Sequence, residues 1–326
     1  MNIPLFEKLN KEGLISDNSL SKIKTTDQVK PFSLHWELTT ILYLGVLILT
    51  GGLGVLVYKN IDTIGHQVIL AFIALISGGC FFYCLKNKAP YSTSKVESPN
   101  IGFDYILLLA CLTFVIFIGY LQYQYHVFGE RFGLATFIPM AVLFFCAYFF
   151  DHLGVLTLAI TNLCAWAGIT VTPLEILREN DFSNERLIVA GIILGVGLIG
   201  AGILTRKNNF KAHFEFTYTN FGMNLLFISV LAAMFEFERL NFLWFIALTG
   251  IAFYFYKEAF RRKSFYELLM SMLYGYVGLS YMIAYFLFAV MHGDLGGLYL
   301  FCFYCIGSAV WFILFLIRMN KKIKSL

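Results

Sequence analysis

Long apolar runs constrain the fold of this chain more than any other feature. A helix that crosses a bilayer needs about 20 apolar residues, and ten segments of the sequence are close to that length or longer. Because backbone polar groups inside hydrocarbon must be satisfied within the segment, we expect each run to be a helix. The sequence therefore predicts an all-α, polytopic membrane bundle with spans at 38–58, 66–85, 103–122, 132–150, 153–172, 187–205, 219–236, 240–256, 265–290 and 295–318.

The low content of charged residues agrees with a bilayer as the main solvent. Only 13% of the residues are charged, whereas soluble domains carry about 25%. The expected partner is the lipid bilayer, and the net charge of +4 does not indicate a nucleic-acid partner. The seven cysteines all lie in apolar runs, which favours packing over a disulfide framework.

The distribution of Lys and Arg predicts the orientation. With a cytoplasmic N-terminus, 19 of these residues lie on the inner side and 5 on the outer side, as the positive-inside rule requires. Both termini are then cytoplasmic. The predicted organisation is a cytoplasmic helical segment over 1–37, a transmembrane domain over 38–318 and a basic tail over 319–326.

The start of the chain resembles a known family. A polar stretch, "KLNKEGLISDNSLSKI", precedes a glycine-rich first span, "LGVLILTGGLGVLVYKN", which continues into an Asn–x–Asp sequence at Asn60 and Asp62. Over roughly residues 5–85 this arrangement resembles the bacterial family called domain of unknown function 2157, in which Trp usually stands at the place of Ile61. The resemblance implies a multi-pass protein of the bacterial inner membrane and no particular activity.

Polar side chains deep in the spans are the first candidates for a binding site, because the span centres lack charged residues. They are Thr157, Thr161 and Asn162 in the fifth span and Asn224 in the seventh. These four side chains are candidate cavity-lining groups. The alternative is that they join helices by hydrogen bonds worth about 1 kcal/mol each.

Glycines in the first and sixth spans indicate close helix packing. Gly191 and Gly195 form a G-x-x-x-G pair in the sixth span. Because each of these spans is the first of five, the chain could form a 5+5 inverted repeat of the kind found in many carriers.

The polar stretch at 59–65 lies between the first two spans, and we expect an outer turn there. A candidate outer-face polar cluster comprises Asn60, Asp62, His66, His126, His292 and Asp294. Such residues can bind zinc, but no spacing such as H-x-x-x-H supports it, and scattered surface residues are the alternative. No metal and no cofactor are therefore expected. Asp151 and His152 are either an acid/base pair or a polar turn.

Three functions agree with these features. The first is a carrier or exporter of a small neutral or amphiphilic solute. The second is a non-catalytic scaffold or sensor subunit that docks a cytoplasmic protein through residues 1–37. The third is an enzyme that acts on lipid or glycan at the outer face. The sequence contains no G-x-S-x-G, Walker or H-E-x-x-H motif, which favours a role other than catalysis.

Overall fold

In the computed structural model, the described residues are 9–10, 12, 14–19, 21, 35–129, 132–171, 185–290 and 295–324. Ten long helices follow one another along these parts of the chain. They are α1 (His35–Ile64), α2 (His66–Asn87), α3 (Ile101–Tyr125), α4 (Gly133–Phe150), α5 (Leu153–Val171), α6 (Glu185–Lys207), α7 (Glu215–Glu236), α8 (Asn241–Arg262), α9 (Phe265–Val290) and α10 (Leu295–Lys324). Two short 3-10 helices, Ala212–Phe214 and Glu238–Leu240, precede α7 and α8.

The lengths and compositions of these helices confirm the predicted fold class. In the described part of the chain, the nine helices α2 to α10 are each long and apolar enough to cross a membrane. Helix α1 contains a shorter apolar stretch, Thr40–Leu56. The chain is thus an all-helical, polytopic bundle, and the predicted spans each coincide with one of its helices.

The junction between α1 and α2 differs from the expectation. The predicted outer turn at 59–65 is wrong, because α1 continues through the polar stretch to Ile64. Only Gly65 separates the two helices, and its φ of 82° lies in the left-handed region, which glycine adopts without steric cost. The side chains of Asn60 and Asp62 lie outside the described residues.

Contacts divide the chain into two compact units, residues 1–56 and residues 57–326. The first unit contains the apolar stretch of α1, and most of the predicted N-terminal segment 1–37 lies outside the described residues. In the second unit, neighbours in sequence pack together: α2 with α3, α4 with α5, α6 with α7, and α8 with α9. Helix α7 also packs on α5, α8 and α9, and is therefore central to that unit.

One end of the second unit gathers four polar connections, and we call it the basic end. They are the loop 88–100, the turn 151–152, the segment 208–214 and the turn 263–264. The Lys211 backbone N–H donates to the Thr93 carbonyl over 2.8 Å, and Arg262 binds Glu215. Ile323 packs in one cluster with Ala259 and Leu268, so the described end of α10 lies here too.

Local backbone signals explain the short connections at this end. The Asn100 side chain accepts a hydrogen bond from the Phe103 N–H over 2.8 Å, which caps α3. Asp151 and Lys263 end α4 and α8 in the left-handed conformation, with φ values of 58° and 54°. Helices α4 and α5 are therefore two helices joined by a tight turn.

Candidate functional site

An apolar crevice lies between α5, α6 and α7, in the half of the bundle away from the basic end. Its volume is about 510 Å³, within the roughly 300–1,000 Å³ typical of small-molecule sites. The lining side chains are almost all apolar or small. They are Thr161, Cys164, Ala165, Ala167, Gly168, Ile169, Leu187, Ile188, Ala190, Gly191, Leu194, Leu225, Ile228, Ser229 and Ala232.

Small residues leave the space that forms this α5–α6–α7 crevice. Helices α6 and α7 approach most closely where Gly195 faces Gly222, and a Cβ atom at Gly222 would lie 2.8 Å from the Gly195 carbonyl oxygen. Gly191 lies one turn along α6, where an added Cβ would overlap the Ser229 hydroxyl oxygen. The backbones are thus in close contact while the short side chains beside them leave a gap towards α5.

The structure places one of the four candidate cavity-lining residues in the crevice wall. Thr161 lines it and donates its hydroxyl to the Thr157 carbonyl over 2.9 Å. Thr157 lies one turn earlier and donates to the Leu153 carbonyl, and Asn162 donates to the Leu158 carbonyl. The roles of Thr157 and Asn162 as lining groups remain predictions.

Asn224, the fourth candidate, bridges α7 and α9. The Tyr274 hydroxyl donates to its Oδ1 over 2.9 Å. The Asn224 amide nitrogen donates to the Asn220 carbonyl over 2.8 Å and to the Tyr266 hydroxyl over 3.3 Å. These contacts are those of an interhelical hydrogen-bond network.

The candidate outer-face cluster is only partly described. His66 Nδ1 lies 2.7 Å from the Tyr120 hydroxyl, and His126 ends α3 with a φ of 49°. The side chains of Asn60 and Asp62 and the whole of His292 and Asp294 lie outside the described residues. Within the described residues, no three His, Cys, Asp or Glu side chains form a group that could hold a metal ion.

A buried ion cluster at the basic end joins three connections. Asp151 and Lys211 are both buried, with side-chain exposures of 2% and 0%, and Lys211 Nζ lies 3.1 Å from Asp151 Oδ2. His213 Nε2 lies 2.7 Å from Asp151 Oδ1. The Val96 N–H donates to Oδ2 over 2.6 Å. Asp151 therefore ties the loop 88–100 to the segment 208–214, and its carboxylate is well supplied with donors.

His152, the other residue of this turn, caps α5. Its Nδ1 accepts a hydrogen bond from the Val155 N–H over 3.0 Å, so the neutral imidazole supports the helix start. Burial lowers the pKa of His152 below its ordinary value of 6.5, while Asp104 and Asp151 oppose that shift. The geometry describes a structural turn, and the acid/base role suggested by the sequence remains a prediction.

The lowered pKa of His152 makes stability depend on pH. Since the unfolded chain binds the proton more readily, the stabilising contribution is present above the unfolded pKa of about 6.5 and is lost as pH falls through the folded pKa. We expect the free energy of unfolding to fall between about pH 7 and pH 5. His152→Asn keeps a capping oxygen and should show a smaller fall, measured by denaturant unfolding in detergent. Equal pH profiles for the two proteins would contradict this role.

A second ion cluster lies beside the first and joins α6 to α9. Arg262 contacts Glu215 and Glu258 at 2.6 Å each and Glu267 at 3.7 Å. Arg206 adds a contact of 3.1 Å to Glu215. Glu267 is 2% exposed, and its Oε2 has no hydrogen-bond partner among the described residues. One guanidinium thus contacts carboxylates from three helices.

Comparisons with known proteins bear on the chain's first half. No curated protein and no solved structure gave a match to the chain. The resemblance inferred over residues 5–85 is confirmed, and the matching region extends as far as the beginning of α5. Over residues 7–156, the chain matches the family described as predicted membrane protein, DUF2157.

Proposed function

We propose that the protein is a carrier of an amphiphilic molecule and that the α5–α6–α7 crevice is its binding site. The observation that supports this proposal is the size and lining of the crevice. Ligand sites combine a mostly apolar wall with a few polar groups that orient the ligand. Here Thr161 and Ser229 are the hydroxyl groups of the wall, and the remaining side chains suit an acyl or isoprenoid chain.

The electrostatics of the crevice favour this class of solute. None of the described residues that line it is charged. A solute with a buried charge would lose its hydration without gaining a counter-ion, which costs several kcal/mol. A molecule whose charged or polar group remains at the membrane surface avoids that cost. The crevice therefore suits an amphiphile better than an ion or a strongly polar metabolite.

The location of the crevice predicts which leaflet it reaches. The Lys and Arg distribution predicts that the basic end faces the cytoplasm. The crevice would then lie in the outer half of the bilayer. Together with the family resemblance, this supports a carrier in the bacterial inner membrane with both termini cytoplasmic.

Filling the crevice should block transfer. In proteoliposomes, the wild-type protein is expected to move a fluorescent phosphatidylcholine with an NBD-labelled acyl chain between leaflets, measured by dithionite quenching. Thr161→Phe places a ring in the crevice and should slow this transfer roughly tenfold, which corresponds to about 1.4 kcal/mol in the barrier.

Thr157→Phe is the matched control. Thr161 is exposed and Thr157 is partly buried, and both hydroxyls bond to their own helix, but only Thr161 lines the crevice. The control should keep the wild-type rate. The carrier proposal fails if wild-type vesicles transfer the probe no faster than protein-free vesicles. Equal rates for the two variants would show that transfer does not use this crevice.

A further inference from the structure

A second apolar groove lies between α2, α3 and α4, in a different part of the bundle from the crevice. Its volume is about 420 Å³. Phenylalanine rings form much of its wall. The lining residues are Ala74, Ser77, Gly78, Phe81, Leu85, Phe114, Phe117, Val142, Phe145, Cys146 and Phe150.

The groove runs along α2 towards the basic end. Its α2 residues follow the pattern i, i+3, i+4, i+7, i+11 and form one helix face, from Ala74 to Leu85. At a rise of ~1.5 Å per residue, this face is about 17 Å long. The hydrocarbon core of a bilayer is about 30 Å thick, so the groove has the length of an acyl chain in one leaflet.

Positive charge lies where this groove reaches the basic end. Lys86 and Lys88 lie one and three residues after Leu85, and both side chains are exposed. Lys88 Nζ lies 3.7 Å from the centre of the Phe149 ring. Phe149 stacks on Phe145 of the groove wall at a centroid distance of 5.2 Å. The ammonium group is therefore held beside the groove, although Glu97 lines a small recess together with Lys88.

We propose that this groove binds an anionic phospholipid, with an acyl chain along the phenylalanine wall and the phosphate at Lys86 and Lys88. The apolar wall alone would accept any lipid. The two lysines add selectivity, since a cation near the membrane surface attracts anionic lipid headgroups. This site is separate from the α5–α6–α7 crevice, whose described wall contains no cation, and it does not depend on the carrier proposal.

Native mass spectrometry of the purified full chain can test this site with two lipids of identical acyl chains. The probes are phosphatidylglycerol and phosphatidylcholine. We expect the wild-type protein to bind phosphatidylglycerol about tenfold more tightly. Gly78→Leu should reduce that binding about tenfold, because its side chain occupies the groove. Added glycerol phosphate should not compete, which distinguishes a lipid from a free phosphate ligand.

The adjacent glycine provides a matched control. A Cβ atom at Gly78 or at Gly79 meets no other atom within 4 Å, so both leucine variants are expected to fold, but only Gly78 lines the groove. Gly79→Leu should bind as the wild type does. Equal binding by the two leucine variants would overturn the proposed groove.

The headgroup contact has its own control. Lys86→Gln/Lys88→Gln should bind both lipids equally. Lys207→Gln/Lys257→Gln removes two other exposed basic-end lysines, one of which lies over a phenylalanine ring as Lys88 does, and should keep the preference. A wild-type protein that binds both lipids equally would overturn the proposal. The preference for phosphatidylglycerol and the transfer of NBD-labelled phosphatidylcholine are separate measurements, so failure of the carrier proposal is recognised separately.

Discussion

Lys211→Met is expected to lower the free energy of unfolding by about 3–5 kcal/mol, because removing one partner of a buried ion pair leaves the buried Asp151 carboxylate without its ammonium partner. Lys211 is fully buried against Asp151, which is itself 2% exposed. Methionine has a similar length and keeps most of the packing of the lysine stem. The decrease in the free energy of unfolding should therefore result mainly from removal of the ammonium group. SDS or denaturant titration in detergent can measure this decrease.

A double-mutant cycle tests the origin of that loss. Asp151→Asn removes the matching negative charge, and asparagine tolerates the left-handed backbone at this position. If the ion pair is responsible, the double variant should be more stable than the sum of the two single losses predicts. Lys207→Met changes an exposed lysine of the same end and should stay within about 0.5 kcal/mol of the wild type. Strictly additive losses would contradict coupling between Lys211 and Asp151.

Gly222→Ala should destabilise the bundle by about 1–3 kcal/mol or more, as overpacking does in well-packed cores. The added Cβ would lie 2.8 Å from the Gly195 carbonyl oxygen and 2.9 Å from the Ile199 nitrogen. Both are backbone atoms, so no side chain can rotate away and α6 must separate from α7. Thermal unfolding followed by a thiol-reactive dye would record a lower midpoint.

Two other glycines of α6 are the controls for this prediction. A Cβ atom at Gly197 or at Gly200 meets nothing within 4 Å. Because alanine favours helix by up to about 1 kcal/mol over glycine, Gly197→Ala and Gly200→Ala should be neutral or slightly stabilising. If Gly222→Ala behaved like these two variants, the close approach of α6 and α7 would be refuted.

The hydrophobicity of the ten segments predicted the helices well. A helix in a bilayer must be long enough to cross it and must satisfy its backbone hydrogen bonds within the segment. The error at 59–65 has a local cause. The polarity of Lys59, Asn60 and Asp62 predicts a loop, but none of these residues prevents helix formation. The first residue that does interrupt the helix is Gly65, through its positive φ.

The sites were harder to predict because they depend on contacts between distant segments. The polarity of Thr161 and Asn224 within apolar spans predicts a lining role for both, yet only Thr161 lines the crevice. The partnership of Asp151 with Lys211 could not be inferred, since both lie in polar connections where solvated charges are common. The Asp151–His152 pair between two apolar runs indicates a tight turn, but no local pattern indicates that Lys211 is the partner of Asp151.

The Asp151–Lys211 pair also sets an order of events during synthesis. Asp151 belongs to the region that matches the family, whereas Lys211 follows it by 60 residues. At about 5–20 residues per second, Lys211 leaves the ribosome roughly 3–12 s after Asp151. During that interval the carboxylate has no ammonium partner and stays hydrated. The ion pair that joins the turn between α4 and α5 to the segment 208–214 can therefore form only after α6 has been made.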